Sequence, residues 1–169
     1  IVDDHKFEGG PSNATNTYAG KVPLRYAVAK SLNTVAWQVY EQITPKVGLQ
    51  YLKNMNFSSI VKDDYTLATS LGGFTKGVSP LEMASAYAAL ENDGMFRQPN
   101  CIKSIVDADE NVVYSSQMTE VSIYEQDAAR TMTDVLTTVM DSGTGKSLKL
   151  SNMPCAGKTG TTNDHKDGW

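Results

Sequence analysis

Long apolar runs are missing from this chain. Its most hydrophobic stretches, MASAYAAL and YAVA, fall far short of the roughly 20 residues that cross a bilayer. No basic-then-apolar leader stands at its start either, so any membrane anchor is expected to lie outside these residues. Basic clusters are also missing. With 15 Lys and Arg against 19 Asp and Glu, and no aromatic-studded basic patch, the chain has little to offer a phosphate backbone, which argues against a nucleic acid partner. Cysteine is scarce, and the spacing of Cys101 and Cys155 fits neither a zinc site nor a CxxC redox pair. Unpaired thiols are the plain reading, a bridge depends on geometry, and the compartment stays open. Histidine is equally scarce: His5 and His165 lie far apart in polar segments, so no metal or other cofactor is expected.

What is present suits one globular unit, since 40% hydrophobic residues over a chain of 169 can fill a core. Residues 1–22 are rich in Gly, Asn, Thr and Ser without periodicity and read as a lead-in loop. From Pro23 the spacing of Ala27, Val35, Ala36, Val39 and Ile43 predicts helix, interrupted by the polar SLN of residues 31–33. Thr44 and Pro45 predict a cap and first turn for another helix, with Tyr51, Leu52 and Met55 facing a core. Ser79, Pro80 and Glu82 form a capping-box pattern opening a helix so apolar (Met83, Ala84, Tyr87, Ala88, Leu90) that burial on most sides is expected. Residues 101–116 predict a hairpin around an acidic turn. A second box, Ser122 with Glu125, predicts a helix carrying Ala128, Met132, Val135, Leu136, Val139 and Met140 and stopping at Gly143. The segment MPCAGKTGTT reads as a short strand. Helices alternating with a few strands, without βαβ spacing, indicate an α+β fold.

Several motifs fail on their mechanics. DADEN, at residues 107–111, resembles a calcium loop, but Val112 takes the obligatory glycine position and Met118 the bidentate glutamate position. GTGKS, at 143–147, resembles the end of a phosphate loop, but its first glycine would fall on Met140 and a helix precedes it, so it reads as a helix stop. The sequons at Asn13 and Asn56 are short enough to arise by chance.

Two polar clusters remain: Ser31-Leu32-Asn33, and Lys158-Thr159-Gly160-Thr161. Each alone is weak, because SLN also serves as an ordinary helix interruption. Together they have a mechanical sense. A lysine beside threonine hydroxyls can hold a carboxylate, and a glycine there admits a ligand backbone. A serine and an asparagine opposite would carry a proton and bind an amide.

The chain resembles the transpeptidase domain of the bifunctional (class A) penicillin-binding proteins. The likeness runs through YAGKVPLRYAVAKSLNTVA, LGGFTKGVSPLEMASAYAALENDGMFRQP and AGKTGTTNDHKDGW, and so covers nearly the whole length. It implies the fold of penicillin-binding proteins and serine β-lactamases, with 1–169 as a partial transpeptidase domain: the lead-in loop, then a helical body and a Lys-Thr-Gly strand over 23–169. It implies that Ser31 relays a proton to the leaving amine, Asn33 binds an amide of the stem peptide, and Lys158 keeps the site electropositive. Thr159 and Thr161 would hold the terminal carboxylate, the Thr161 N–H would form half of an oxyanion hole, and Gly160 would admit the substrate strand. The implied partners are peptidoglycan stem peptides ending in D-Ala-D-Ala, β-lactams, and upstream and downstream parts of the same domain. The implied place is the outer face of the bacterial cytoplasmic membrane.

One departure stands out. The family's nucleophile lies in a Ser-x-x-Lys motif, and here the sole such pair is Ser59 with Lys62, which follows SLN instead of preceding it. The nucleophile is therefore expected upstream of Ile1, further strands beyond Trp169, and the 169-residue chain inactive alone. A non-catalytic module binding stem peptides or β-lactams, and a D,D-carboxypeptidase, remain the alternatives.

Overall fold

A computed structural model of the chain describes residues 1–161 and Gly168. Residues 162–167, His165 among them, and Trp169 lie outside the described residues. The fold is α+β, as expected: five α-helices and three separate two-stranded antiparallel sheets among the described residues. None of the described helices is long and apolar enough to cross a membrane.

The lead-in segment departs from its reading as a loop. Strand β1 (Val2–Asp4) pairs antiparallel with β2 (Gly20–Val22), and Asp4, the last residue of β1, is buried. Its carboxylate accepts from the Asn13 side chain at 2.7 Å, from the Ala19 N–H at 2.7 Å and from the Thr34 hydroxyl. A polar stretch thus closes around one buried acid, which hydrophobic periodicity has no means of revealing.

Helix α1 (Leu24–Lys30) stops at Ser31, which takes the left-handed conformation (φ 55°, ψ 48°), and α2 (Asn33–Ile43) restarts two residues later. The Ser31 and Leu32 N–H groups donate back to Val28 and Ala27, closing the turn. A serine there costs about 1 kcal/mol against the right-handed form, strain of the kind that gathers at functional sites.

Helix α3 (Pro45–Asn54) begins as expected, with the Thr44 hydroxyl accepting from the Val47 N–H. Its buried residue is Leu49, whereas Tyr51, expected in the core, is 42% exposed and stacks on Tyr124 at 5.5 Å. The main core cluster joins Met55 and Phe57 to Ala89, Phe96 and Ile123. Tyr124 packs against that cluster, so Tyr51 reaches it only by stacking on Tyr124.

Helix α4 (Pro80–Glu91) has the full capping box. The Glu82 carboxylate accepts from the Ser58 N–H and the Ser79 N–H, each at 2.7 Å, and these bonds hold its pKa down to about 2. Its expected burial does not hold: Ala89 alone is buried, and Leu81 is 62% exposed. Among the described elements, chiefly α5 and strand β3 (Met95–Arg97) pack against it, too few to cover an apolar surface that runs all round.

The hairpin of β4 (Ser104–Val106) and β5 (Val112–Ser115) forms as read, with the Asp107 carboxylate accepting from the Asp109 and Asn111 N–H groups at its turn. The second capping box does not form. Residues Glu120–Ser122 are strand β6, paired with β3, and the Ile123 and Tyr124 N–H groups donate to the Gly94 carbonyl. Gly94 needs its φ of +87° and has no room for a side chain, since a Cβ would lie 2.1 Å from the Tyr124 oxygen. Sheet pairing therefore claims Ser122, and α5 (Gln126–Ser142) begins with Glu125 as an N-cap making no side-chain bond.

Helix α5 stops at Gly143 as expected and buries Ala129, Leu136 and Val139. Ala128, Met132 and Val135, which this helix was expected to carry, line an open groove with Leu24 and Val28 of α1. Residues 149–160 form no strand, and Thr161 makes only an isolated bridge to Gly168, so the expected Lys-Thr-Gly strand is absent from the described residues.

Candidate active site

Helices α1 and α5 lie together and end together. Arg25 donates to the Asp134 carboxylate, to the Asp134 carbonyl at 2.9 Å and to the Thr138 hydroxyl at 3.0 Å. Both charged side chains are substantially exposed, so this pair contributes alignment more than stability. At the far end the Lys30 ammonium donates to the Ser142 carbonyl at 3.1 Å, and the Thr144 N–H donates to the Ala29 carbonyl at 3.1 Å. A Cβ on Gly143 would fall 2.4 Å from that same Ala29 oxygen, so glycine permits the approach. The chain then returns along α5, where the Gly157 N–H donates to the Leu136 carbonyl at 3.4 Å.

This path brings the two polar clusters together. Lys158 Nζ donates to Ser31 Oγ at 2.7 Å, across 127 residues of sequence, and to the Thr159 carbonyl at 2.8 Å. The left-handed turn at Ser31 and the close approach at Gly143 place this pair at the junction of α1 and α5. Lys158 is half-buried, and loss of hydration pushes its ammonium below the ordinary lysine range. Among the described residues no carboxylate pairs with it. A lysine so held gives up a proton more readily than a solvated one, and the serine hydroxyl beside it can pass that proton on.

The other expected residues are placed less tightly. The Thr159 hydroxyl meets the Thr144 hydroxyl at 2.6 Å. The Asn33 amide donates to the Ser12 carbonyl at 2.9 Å and is thereby tied to the lead-in segment instead of to Lys158. Gly160 and Thr161 are exposed beyond the pair. Neither Ser59 nor Lys62 makes a side-chain hydrogen bond to Ser31 or Lys158 among the described residues, and the neighbouring Ser58 is held by Glu82 on α4.

Sequence reasoning missed the support behind the Ser31 turn. Thr34 is fully buried, its hydroxyl on Asp4 and its N–H 3.4 Å from the Asn13 carboxamide oxygen, so Asp4 and Asn13 fix the start of α2 from behind. Burial pushes the Asp4 carboxyl up, but the bonds from Thr34, Ala19 and Asn13 outweigh it and leave the group below the usual aspartate range. Thr144 was missed too, having been read only as part of a helix stop. The Thr next to SLN and the Gly-Thr-Gly after the helix were the available signals, and both are too short to stand out.

The penicillin binding protein transpeptidase domain family matches residues 3–168, and the chain belongs to that family. Penicillin-binding protein 4 of Bacillus subtilis is 31% identical over 171 residues, which covers 99% of this chain and 27% of that protein. Penicillin-binding protein 1A of Clostridium botulinum is 32% identical over 161 residues, 94% of this chain and 19% of that protein. The chain thus spans about a quarter or less of these relatives. Two solved structures share the fold. The D,D-transpeptidase domain of a peptidoglycan glycosyltransferase from Eggerthella lenta matches at a TM-score of 0.74 and 24% identity, over 94% of this chain and 46% of that one. Penicillin-binding protein 1A from Haemophilus influenzae matches at 0.78 and 20%, over 95% of this chain and 30% of that one. Part of the transpeptidase domain of a class A penicillin-binding protein fits all of these matches.

Proposed function

We propose that these residues form the proton-relay and carboxylate-binding side of a D,D-transpeptidase that crosslinks peptidoglycan stem peptides and is acylated by β-lactams. The observation that carries the reading is the 2.7 Å contact of Lys158 with Ser31, beside Thr159 and without a neutralising carboxylate among the described residues. In this reading a serine on a Ser-x-x-Lys segment outside these residues attacks the D-Ala-D-Ala carbonyl, its hydroxyl proton passing to the lysine of that segment. The C–N bond breaks, and the departing D-alanine amine takes a proton through Ser31, which Lys158 replenishes. Thr159 and Thr161 hold the terminal carboxylate, the Thr161 N–H faces the developing oxyanion, Asn33 binds the stem-peptide amide, and Gly160 leaves the substrate backbone room. An amine of a neighbouring stem peptide then takes the acyl group, on the outer face of the cytoplasmic membrane.

Fluorescent penicillin tests this directly. The 169-residue chain alone is expected to remain unlabelled. A longer chain of the same protein carrying its Ser-x-x-Lys segment is expected to take one label per molecule, on that serine. Stoichiometric labelling of the short chain, or a longer chain that binds penicillin without forming an ester, would overturn the assignment; the second outcome would favour a binding module.

A further inference from the structure

Thr144 lies one residue beyond the helix stop, yet its position is tightly defined. Its N–H is bonded to Ala29, two residues before Ser31, and the next N–H, of Gly145, donates back to the Val139 carbonyl at 3.1 Å. Its side chain points to the other cluster, with Oγ1 2.6 Å from Thr159 Oγ1. Thr144 therefore touches both arms of the site: the α1 arm through its backbone and the lysine arm through its hydroxyl.

Either hydroxyl can donate in this contact, and a ligand would choose between them. Each hydroxyl carries one proton, and a carboxylate can only accept. If Thr159 donates its proton to a ligand carboxylate, its oxygen must accept from Thr144, which gives a chain running Thr144 to Thr159 to carboxylate. Donation to an oxygen strengthens that group's own donation, so the first hydroxyl in the chain polarises the second. Thr144 is exposed and Thr159 half-buried, which leaves the contact open to a ligand.

We propose that Thr144 is a positioning residue for carboxylate recognition, orienting the Thr159 hydroxyl toward the terminal carboxylate of the donor peptide or β-lactam. This inference rests on the reading of Thr159 given above. The test measures acylation of the full-length protein by benzylpenicillin and by its methyl ester, which lacks the anionic oxygens. Thr144→Val is expected to lower the preference for the acid over the ester about tenfold, acting on the concentration for half-maximal rate more than on the limiting rate. Thr144→Ser should restore the preference. Adding Thr144→Val to Thr159→Val should cost nothing further. A wild-type preference in Thr144→Val, with the preference lost in Thr159→Val, would overturn the inference and leave the carboxylate role of Thr159 standing. A wild-type preference in Thr159→Val would remove that role and this inference with it. Because the Thr144 side chain is exposed, thermal melting is expected to be unchanged. If melting does fall, Thr144→Ser decides: failure to restore the preference at wild-type stability counts against the proposal.

Discussion

Lys158→Ala is expected to slow acylation of the full-length protein by penicillin about 100-fold to 10,000-fold, the range for a lost proton-transfer group. The compact ammonium reaches Ser31 at 2.7 Å and the Thr159 carbonyl at 2.8 Å, a geometry that a planar guanidinium does not reproduce, so Lys158→Arg should rescue little. Stability is expected to move the other way. The folded protein holds this ammonium with reduced hydration and, among the described residues, without a carboxylate. Its lowered pKa means that the charged form costs stability at neutral pH, and that this cost fades as pH rises through the lysine range and both states become neutral. Lys158→Met should therefore melt at the same temperature as wild type or higher at neutral pH, with any gain shrinking in alkali. A melting curve beside the acylation rate checks both halves. Loss of activity together with a large loss of stability would contradict the assigned role.

Asp4→Ala is expected to destabilise the fold by about 3 kcal/mol, the scale for removing one member of a buried, fully bonded polar group. The substitution strands the Thr34 hydroxyl and the Ala19 N–H and removes one of the two acceptors of the Asn13 amide. For a chain of this size that corresponds to a fall in melting temperature of about 10 °C. Thr34 adjoins Asn33, so acylation should slow as well. Asp4→Asn removes the charge and, like the protonated acid, leaves one accepting oxygen and puts a donor in place of the other. The folded carboxyl lies below its unfolded value, so its contribution is complete above the ordinary aspartate range and is lost as the pH falls through the lower folded value. The gap in urea midpoint between wild type and Asp4→Asn should close as pH falls from about 5 to about 2. A gap that widens in acid would show that the Asp4 charge is not what these bonds stabilise.

How far such features were readable depended on their range. The capping box of Ser79 and Glu82, the Thr44-Pro45 start, the turn around Asp107 and the stop at Gly143 are decided within a few residues, and they formed as read. Ser122 with Glu125 had the same local credentials, but residues 120–122 found a partner strand at 95–97, and a ladder outcompeted a cap. Pairing of residues 2–4 with 20–22 depends on Asp4 meeting Asn13, Ala19 and Thr34, contacts that no short pattern encodes. The expected burial of α4 took apolar composition for coverage, which depends on what packs alongside. In the site, Ser31 and Lys158 were legible as a pair through their resemblance to a family, since neither tripeptide would stand alone. Thr144 was not legible, because its meaning comes from a hydroxyl 15 residues away.

The central claim is that Ser31 and Lys158 act as one proton-relay unit, and a double-mutant cycle on the acylation rate tests it most directly. Ser31→Ala, Lys158→Ala and the double variant would each be made in the full-length protein and reacted with penicillin. The 2.7 Å bond predicts strong non-additivity, with the double variant no slower than the worse single one within about threefold. Losses that multiply, so that the double variant falls by the product of the two single effects, would show that the residues act independently and would contradict the relay.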